Sequence, residues 1–220
     1  MPDTPVTAVV LCGGTGRRFG GDKTRADLGG ATVLDRLLDG LPGGWPVLCV
    51  GERRPTTREV TWLREDPPGG GPVAALAAAL PHVTTPVLVA LGGDMPYAAP
   101  AAPALAGRLG AAGRQGAGER ATGERGAGRD GDREHGAGGP GAGCPPEVVA
   151  ARDAGGRVQP LLAAYLVDAL RAAVPTPAAG APLMRLLDRL RVEAVEVADP
   201  AALDIDTPGD LERARHRLEP

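Results

Sequence analysis

The chain has no serine and no asparagine in 220 residues, and Lys23 is its only lysine. Without serine, every serine-nucleophile mechanism is excluded. The three cysteines (Cys12, Cys49, Cys144) are odd in number, scattered and never in a CxxC pair, so neither a disulfide framework nor a structural zinc site is expected. The histidines His82, His135 and His216 are isolated from one another. A formal net charge of −3 provides no basic footprint for nucleic acid. No apolar run reaches the length of a membrane span. The opening residues MPDTPVTAVV show no basic region followed by a long apolar stretch and a cleavage site. The expectation is a cytoplasmic protein that binds neither nucleic acid nor membrane.

Lysine is scarce while arginine is abundant, and Ile205 and Phe19 are also single occurrences. Such a skew fits a genome-wide bias toward Ala, Gly, Arg and Pro codons. Under that bias a surviving lysine is either chance or a position arginine cannot fill. An ammonium is a compact point charge on a flexible stem, whereas a guanidinium is a wide planar fork.

Strand-like and helix-like stretches alternate along the chain. VTAVVL (6–11) is a short β-branched apolar run closed by glycines, and PVLCVG (46–51) and TPVLVAL (85–91) read the same way. A weaker strand is expected around Glu59–Leu63. Between the first two strands, Val33, Leu34, Leu37, Leu38 and Leu41 fall at helical spacing behind Thr32, a candidate N-cap. The segment EDPPGGGPVAALAAALP is a turn-rich loop feeding an alanine-rich helix with Pro72 in its first turn. A short helix is expected around Ala101–Leu109. Residues 110–143 carry Gly, Ala, Arg, Glu and Asp without apolar period, which predicts a disordered low-complexity insertion. Beyond it, Asp153–Gly156 suggests a hairpin turn between two strands, the second leading into a helix. APLMRLLDRL reads as a further helix, RVEAVEV as a strand, and Thr207-Pro208-Gly209-Asp210 as the capped start of a last helix. Strands apolar on both faces, alternating with helices, predict a Rossmann-like three-layer α/β/α fold with a mostly parallel sheet, in a single domain spanning 1–220.

The loop CGGTGRRFGGDKTRADLGG (12–30) follows the first strand. It misses a P-loop by one residue, because Asp22 stands before Lys23, and misses a dinucleotide fingerprint because Phe19 takes the place of the third glycine. What remains is bare backbone N–H groups with Arg17, Arg18 and Lys23, suited to a triphosphate. The alternative is a flexible connection with solvated arginines. Asp94 follows the most apolar strand and two glycines, at the sheet edge where open parallel sheets bind ligands. It is either a magnesium ligand or a turn residue and helix cap. Asp66, before Pro-Pro-Gly, has the same ambiguity with turn formation. Asp204 and Asp206 either cap the last helix or serve a metal.

In order, VVLCGGTGRRFGGDKTRADLGG, EDPPGGGPVAAL, VLVALGGDMP, RVQPLLAAY and DIDTPGDL resemble the molybdenum cofactor guanylyltransferase family among the nucleotidyltransferases. The resemblance covers nearly the whole chain outside 110–143. It implies a nucleotidyltransferase-type fold that binds GTP and Mg²⁺ and joins GMP to the phosphate of molybdopterin, releasing pyrophosphate. By motif position it implies that Leu11, Cys12, Gly13 and Gly14 line the nucleotide pocket. Lys23 and Arg18 would then lie at the phosphates, Asp66 in the nucleotide site, and Asp94 on nucleotide and metal. A molybdoenzyme or its chaperone is an implied partner. Relatives of the same build use CTP on molybdopterin, or GTP on phospholactate or cobinamide phosphate, and a catalytically degenerate delivery partner is a further alternative. The chain departs from the family pattern at Gly51, Asp204 and Asp206, where asparagines are usual, and at Gly92-Gly93.

Overall fold

The computed structural model describes residues 4–13, 19–122 and 144–218, with only the backbone described over 114–122. The buried run Val6–Leu11 forms β1, and Val33–Gly40 forms α1. The Thr32 side chain caps α1 by accepting from Asp35 N (3.0 Å), satisfying one of the orphan donors of the first turn. Next come β2 (Val47–Val50), β3 (Thr61–Leu63), α2 (Pro72–Ala79), β4 (Val87–Gly92) and α3 (Ala102–Thr122). The chain ends through β5 (Val148–Arg152), β6 (Val158–Leu166), α4 (Val167–Ala173), α5 (Leu183–Leu187), β7 (Val192–Glu196) and α6 (Pro208–His216). The expected hairpin joins β5 to β6: Asp153 N donates to Arg157 O (3.0 Å), and Gly156 takes φ +81°, a conformation that favours glycine.

The strands form one seven-stranded sheet in the order β3-β2-β1-β4-β6-β5-β7, with only β6 antiparallel to its neighbours. Side chains of β1 alternate between two cores. Ala8 and Val10, with Cys12 just after the strand, pack with α1 and α3, while Val9 and Leu11 pack with α2, α4 and α5. Burial on both faces explains why these strands read as continuous apolar runs. The fold is the expected three-layer α/β/α arrangement. A third, smaller core of Leu28, Val33, Ile205, Leu211 and Ala214 seats α6 against the segment after Lys23.

One expectation is corrected. α3 continues to Thr122, so residues 110–122 are helical where composition predicts a disordered loop; 123–143 lie outside the described residues. The buried Ala102, Leu105, Ala106 and Leu109 anchor the helix on the sheet, which removes the nucleation cost. The following Ala, Arg, Gln and Glu residues are good helix formers, and each added residue brings its own hydrogen bond.

Candidate active site

The carboxyl ends of β1, β2 and β4 open onto a cleft of about 670 Å³, within the size range of small-molecule sites. It is lined by Leu11, Cys12 and Gly13 after β1, Gly51 after β2, Glu65 after β3 and Asp94 after β4. The expected residues Leu11, Cys12, Gly13 and Asp94 therefore share one cleft. Asp66 is exposed and does not line it; its neighbour Glu65 does. Adjacent residues of an extended segment face opposite sides, so one position decides which carboxylate turns inward. Gly14, Arg17 and Arg18 lie outside the described residues.

Lys23 stands in a short 3₁₀ turn, Lys23–Arg25, whose N-cap is Asp22. Its ammonium lies 2.6 Å from Asp94 Oδ2 and 2.5 Å from Asp206 Oδ1. The side chain is 18% exposed. Burial works against the charge, but hydrogen bonds and attraction from Asp206 and Asp94 outweigh it and hold the lysine above its ordinary pKa. The ammonium is thus kept at neutral pH. Asp206 is positioned by the backbone: Ile205 N donates to Asp94 O (3.0 Å), and Ile205, the chain's only isoleucine, is fully buried. The last helix is capped by a reciprocal Thr207–Asp210 box, so its N-cap is Thr207, and Asp206 spends its carboxylate on Lys23. Asp204 is exposed. Partial desolvation of its carboxylate first, then the Asp206 and Asp94 charges, raise its pKa.

Arg54 fixes the lysine turn in place, a role the sequence reading missed. Its guanidinium is buried at 8% exposure and joins three segments. It donates to Cys12 O (3.1 Å) after β1, to Glu52 O (3.0 Å) after β2, and to Asp22 Oδ2 (2.6 Å) and Thr24 Oγ1 in the turn. It also lies 5.6 Å over the Trp62 ring. Asp22 in turn accepts from Thr24 N and Oγ1. Arg54→Met should lower unfolding stability by about 2 kcal/mol, since the guanidinium is buried but Asp22 keeps a solvent face. Chemical denaturation would show it as a lower midpoint at unchanged slope; an unchanged midpoint would mean that the turn holds itself.

Two departures from the family pattern have physical reasons. Gly51 has φ +145°, and a Cβ there would approach the Cys12 carbonyl carbon to 3.0 Å and Gly13 N to 3.1 Å. The backbone leaving β1 passes too close for an asparagine side chain. At Gly92, a Cβ would sit 2.5 Å from Asp94 Oδ1, so glycine leaves the carboxylate free to face Lys23. Cys12, in the cleft lining, has its thiol pushed up, first by its hydrogen bond with Cys49 and then by burial. A thiol held neutral in this way is a packing group and a poor nucleophile.

The chain that carries this cleft has relatives in sequence and in fold. The sequence pattern of the MobA-like NTP transferase domain matches residues 8–195. The chain belongs to the MobA-like NTP transferase family. A protein of Deinococcus radiodurans named "probable molybdenum cofactor guanylyltransferase" is 34% identical over 102 residues, 42% of this chain and 48% of its own length; the match thus spans about half of that relative. Among solved structures, molybdopterin-guanine dinucleotide biosynthesis protein A of Archaeoglobus fulgidus superposes with a TM-score of 0.61 at 23% identity. That match covers 96% of this chain and 97% of that one. The 2-C-methyl-D-erythritol 4-phosphate cytidylyltransferase of Thermus thermophilus gives 0.60 at 18% identity, over 97% and 98% of the two chains. The structural likenesses show that the fold is that of nucleotidyltransferases. Among the described residues, no helix is long and apolar enough to cross a membrane.

Proposed function

We propose that this NTP transferase is a Mg²⁺-dependent guanylyltransferase that joins GMP from GTP to the terminal phosphate of molybdopterin. The observation that carries the proposal is the Lys23 ammonium bridging Asp206 and Asp94, the latter a residue that lines the cleft. Two carboxylates within 2.6 Å of a common cation fit a hard divalent ion, which takes one or two protein carboxylates and completes its shell with phosphate and water. Among the described residues no group of three or more His, Cys, Asp or Glu gathers into a closed metal cage. Asp94, with Asp206 beside it, would hold the Mg²⁺. When bound, the ion neutralises charge on the phosphates.

The remaining chemistry is positioning. An oxygen of the acceptor phosphate attacks the α-phosphorus of GTP, and the bond to the β-phosphate oxygen breaks as pyrophosphate leaves. The nucleophile is already anionic, so no general base is needed. Lys23 and the backbone N–H groups after β1 meet the charge that builds on the leaving group. Arg54 and the Asp22 cap keep the Lys23 turn in register with Asp94. The name of the Deinococcus relative supports guanine and molybdenum cofactor as substrates, and a molybdoenzyme or its chaperone is the proposed recipient of the product. We assign the activity to the cytoplasm.

Pyrophosphate release with Mo-molybdopterin and each of GTP, CTP and ATP tests the reading. Release with GTP, dependent on acceptor and Mg²⁺, is expected. Release with CTP in place of GTP would reassign the base. Nucleotide binding without any release would make the chain a delivery partner and contradict catalysis.

A further inference from the structure

We propose that Lys23 is a resident counter-cation: its ammonium holds the place of Mg²⁺ between Asp94 and Asp206 until nucleotide phosphates draw it off. The inference deepens the metal-dependent reading above and rests on it. Nζ lies 2.6 Å from Asp94 Oδ2 and 2.5 Å from Asp206 Oδ1. An ion bound to both oxygens would stand roughly 2.1 Å from each, in the space that the ammonium fills. Ion and ammonium therefore exclude one another.

The surroundings let the ammonium leave while the carboxylates stay. Ile205 N donates to Asp94 O (3.0 Å), which ties the backbone before Asp206 to the end of β4. The reciprocal Thr207–Asp210 cap fixes the chain just after Asp206. The lysine turn is fixed in its own right by the Asp22 cap and by Arg54. What can swing between these anchors is the flexible lysine stem.

Mg²⁺ alone gives up its water reluctantly, and displacing the ammonium would strand one cation beside another with both carboxylates taken. A triphosphate changes that balance. Its oxygens receive the ammonium and also supply ligands to the ion, so both cations gain partners as the two contacts open. Metal and nucleotide thus enter together, each favouring the other. Asp94 stays in the cleft lining to receive the ion, and Lys23 moves onto the phosphates.

Lys23 is the chain's only lysine, so a carbon-13 label at lysine Cε gives the full chain a single side-chain NMR signal from this site. Millimolar Mg²⁺ alone should leave that signal where it stands. Mg²⁺ with the non-reacting α,β-methylene analogue of GTP should shift it. This arm uses wild type and needs no variant to fold. In parallel, Mn²⁺ binding to the nucleotide-free chain is followed by electron paramagnetic resonance. Lys23→Met should bind Mn²⁺ at least about tenfold more tightly than wild type, and adding Asp94→Asn should abolish the gain. A lysine signal moved by Mg²⁺ alone, or unmoved by the metal–analogue complex, overturns the inference. So does a Lys23→Met chain, folded by its melting curve, that binds Mn²⁺ no better than wild type, or a gain that survives Asp94→Asn. A shift with the CTP analogue and none with the GTP analogue reassigns the base and leaves the counter-cation role standing.

Discussion

Lys23→Arg is expected to lower turnover on the order of a hundredfold while leaving the fold intact. The ammonium fits between Asp94 and Asp206 at 2.6 and 2.5 Å, contacts that a point charge on a flexible stem can make in a narrow space. A guanidinium must align a planar fork with each carboxylate, and the turn that carries residue 23 is held by Arg54 and Asp22, so it cannot retreat to make room. The displaced charge no longer meets the leaving pyrophosphate, and loss of one such preorganised contact costs about 3 kcal/mol in the transition state. The effect should appear in kcat more than in KM, because the charge on the leaving group grows only as the bond breaks. Steady-state kinetics with thermal melting of the same preparation separates this from unfolding. Unchanged turnover would show that a lysine is not required there, and the chain's single lysine would then be an accident of composition.

Asp94→Ala should cost as much or more, on the order of a hundred- to a thousandfold in kcat, with stability altered by no more than about 1 kcal/mol. Asp94 lies at the end of β4, 24% exposed, and its backbone carbonyl, not its side chain, holds Ile205 N. Removing the carboxylate therefore leaves the Asp206 strap in place and takes away the oxygen donor facing Lys23. Apparent Mg²⁺ affinity, measured by titrating the metal in the turnover assay, should weaken in parallel. A variant with wild-type turnover and wild-type metal dependence would remove Asp94 from the metal site. Loss of activity matched by a large drop in melting temperature would instead make Asp94 a fold residue.

The fold was legible where burial leaves a pattern. β1 and β4 stood out because both faces of the sheet are covered, and α6 because Thr207 and Asp210 form a complete box. The extent of α3 was not legible, since glycine-rich composition does not reveal that Leu105 and Leu109 have already nucleated the helix. At the candidate site, the family resemblance pointed to Leu11, Cys12, Gly13 and Asp94, which line one cleft, and the scarcity of lysine singled out Lys23, which contacts Asp94. Asp206 was ambiguous because a carboxylate before Thr-Pro is a natural cap; only the 183-residue link to Lys23 assigns it. Arg54 carried no signal of its own in an arginine-rich chain. Asp66 was the only candidate named in its segment; the neighbouring Glu65, which lines the cleft, was missed because no periodicity in so short a segment decides which carboxylate turns inward.

The most direct measurement is a crystal structure of the chain soaked with GTP and Mn²⁺, using anomalous scattering to locate the ion. The expected result is a manganese peak within coordination distance of Asp94, with the triphosphate between it, Lys23 and the loop after β1. A metal and triphosphate bound elsewhere, with the Lys23–Asp94–Asp206 contacts undisturbed, would contradict the assignment of this cleft.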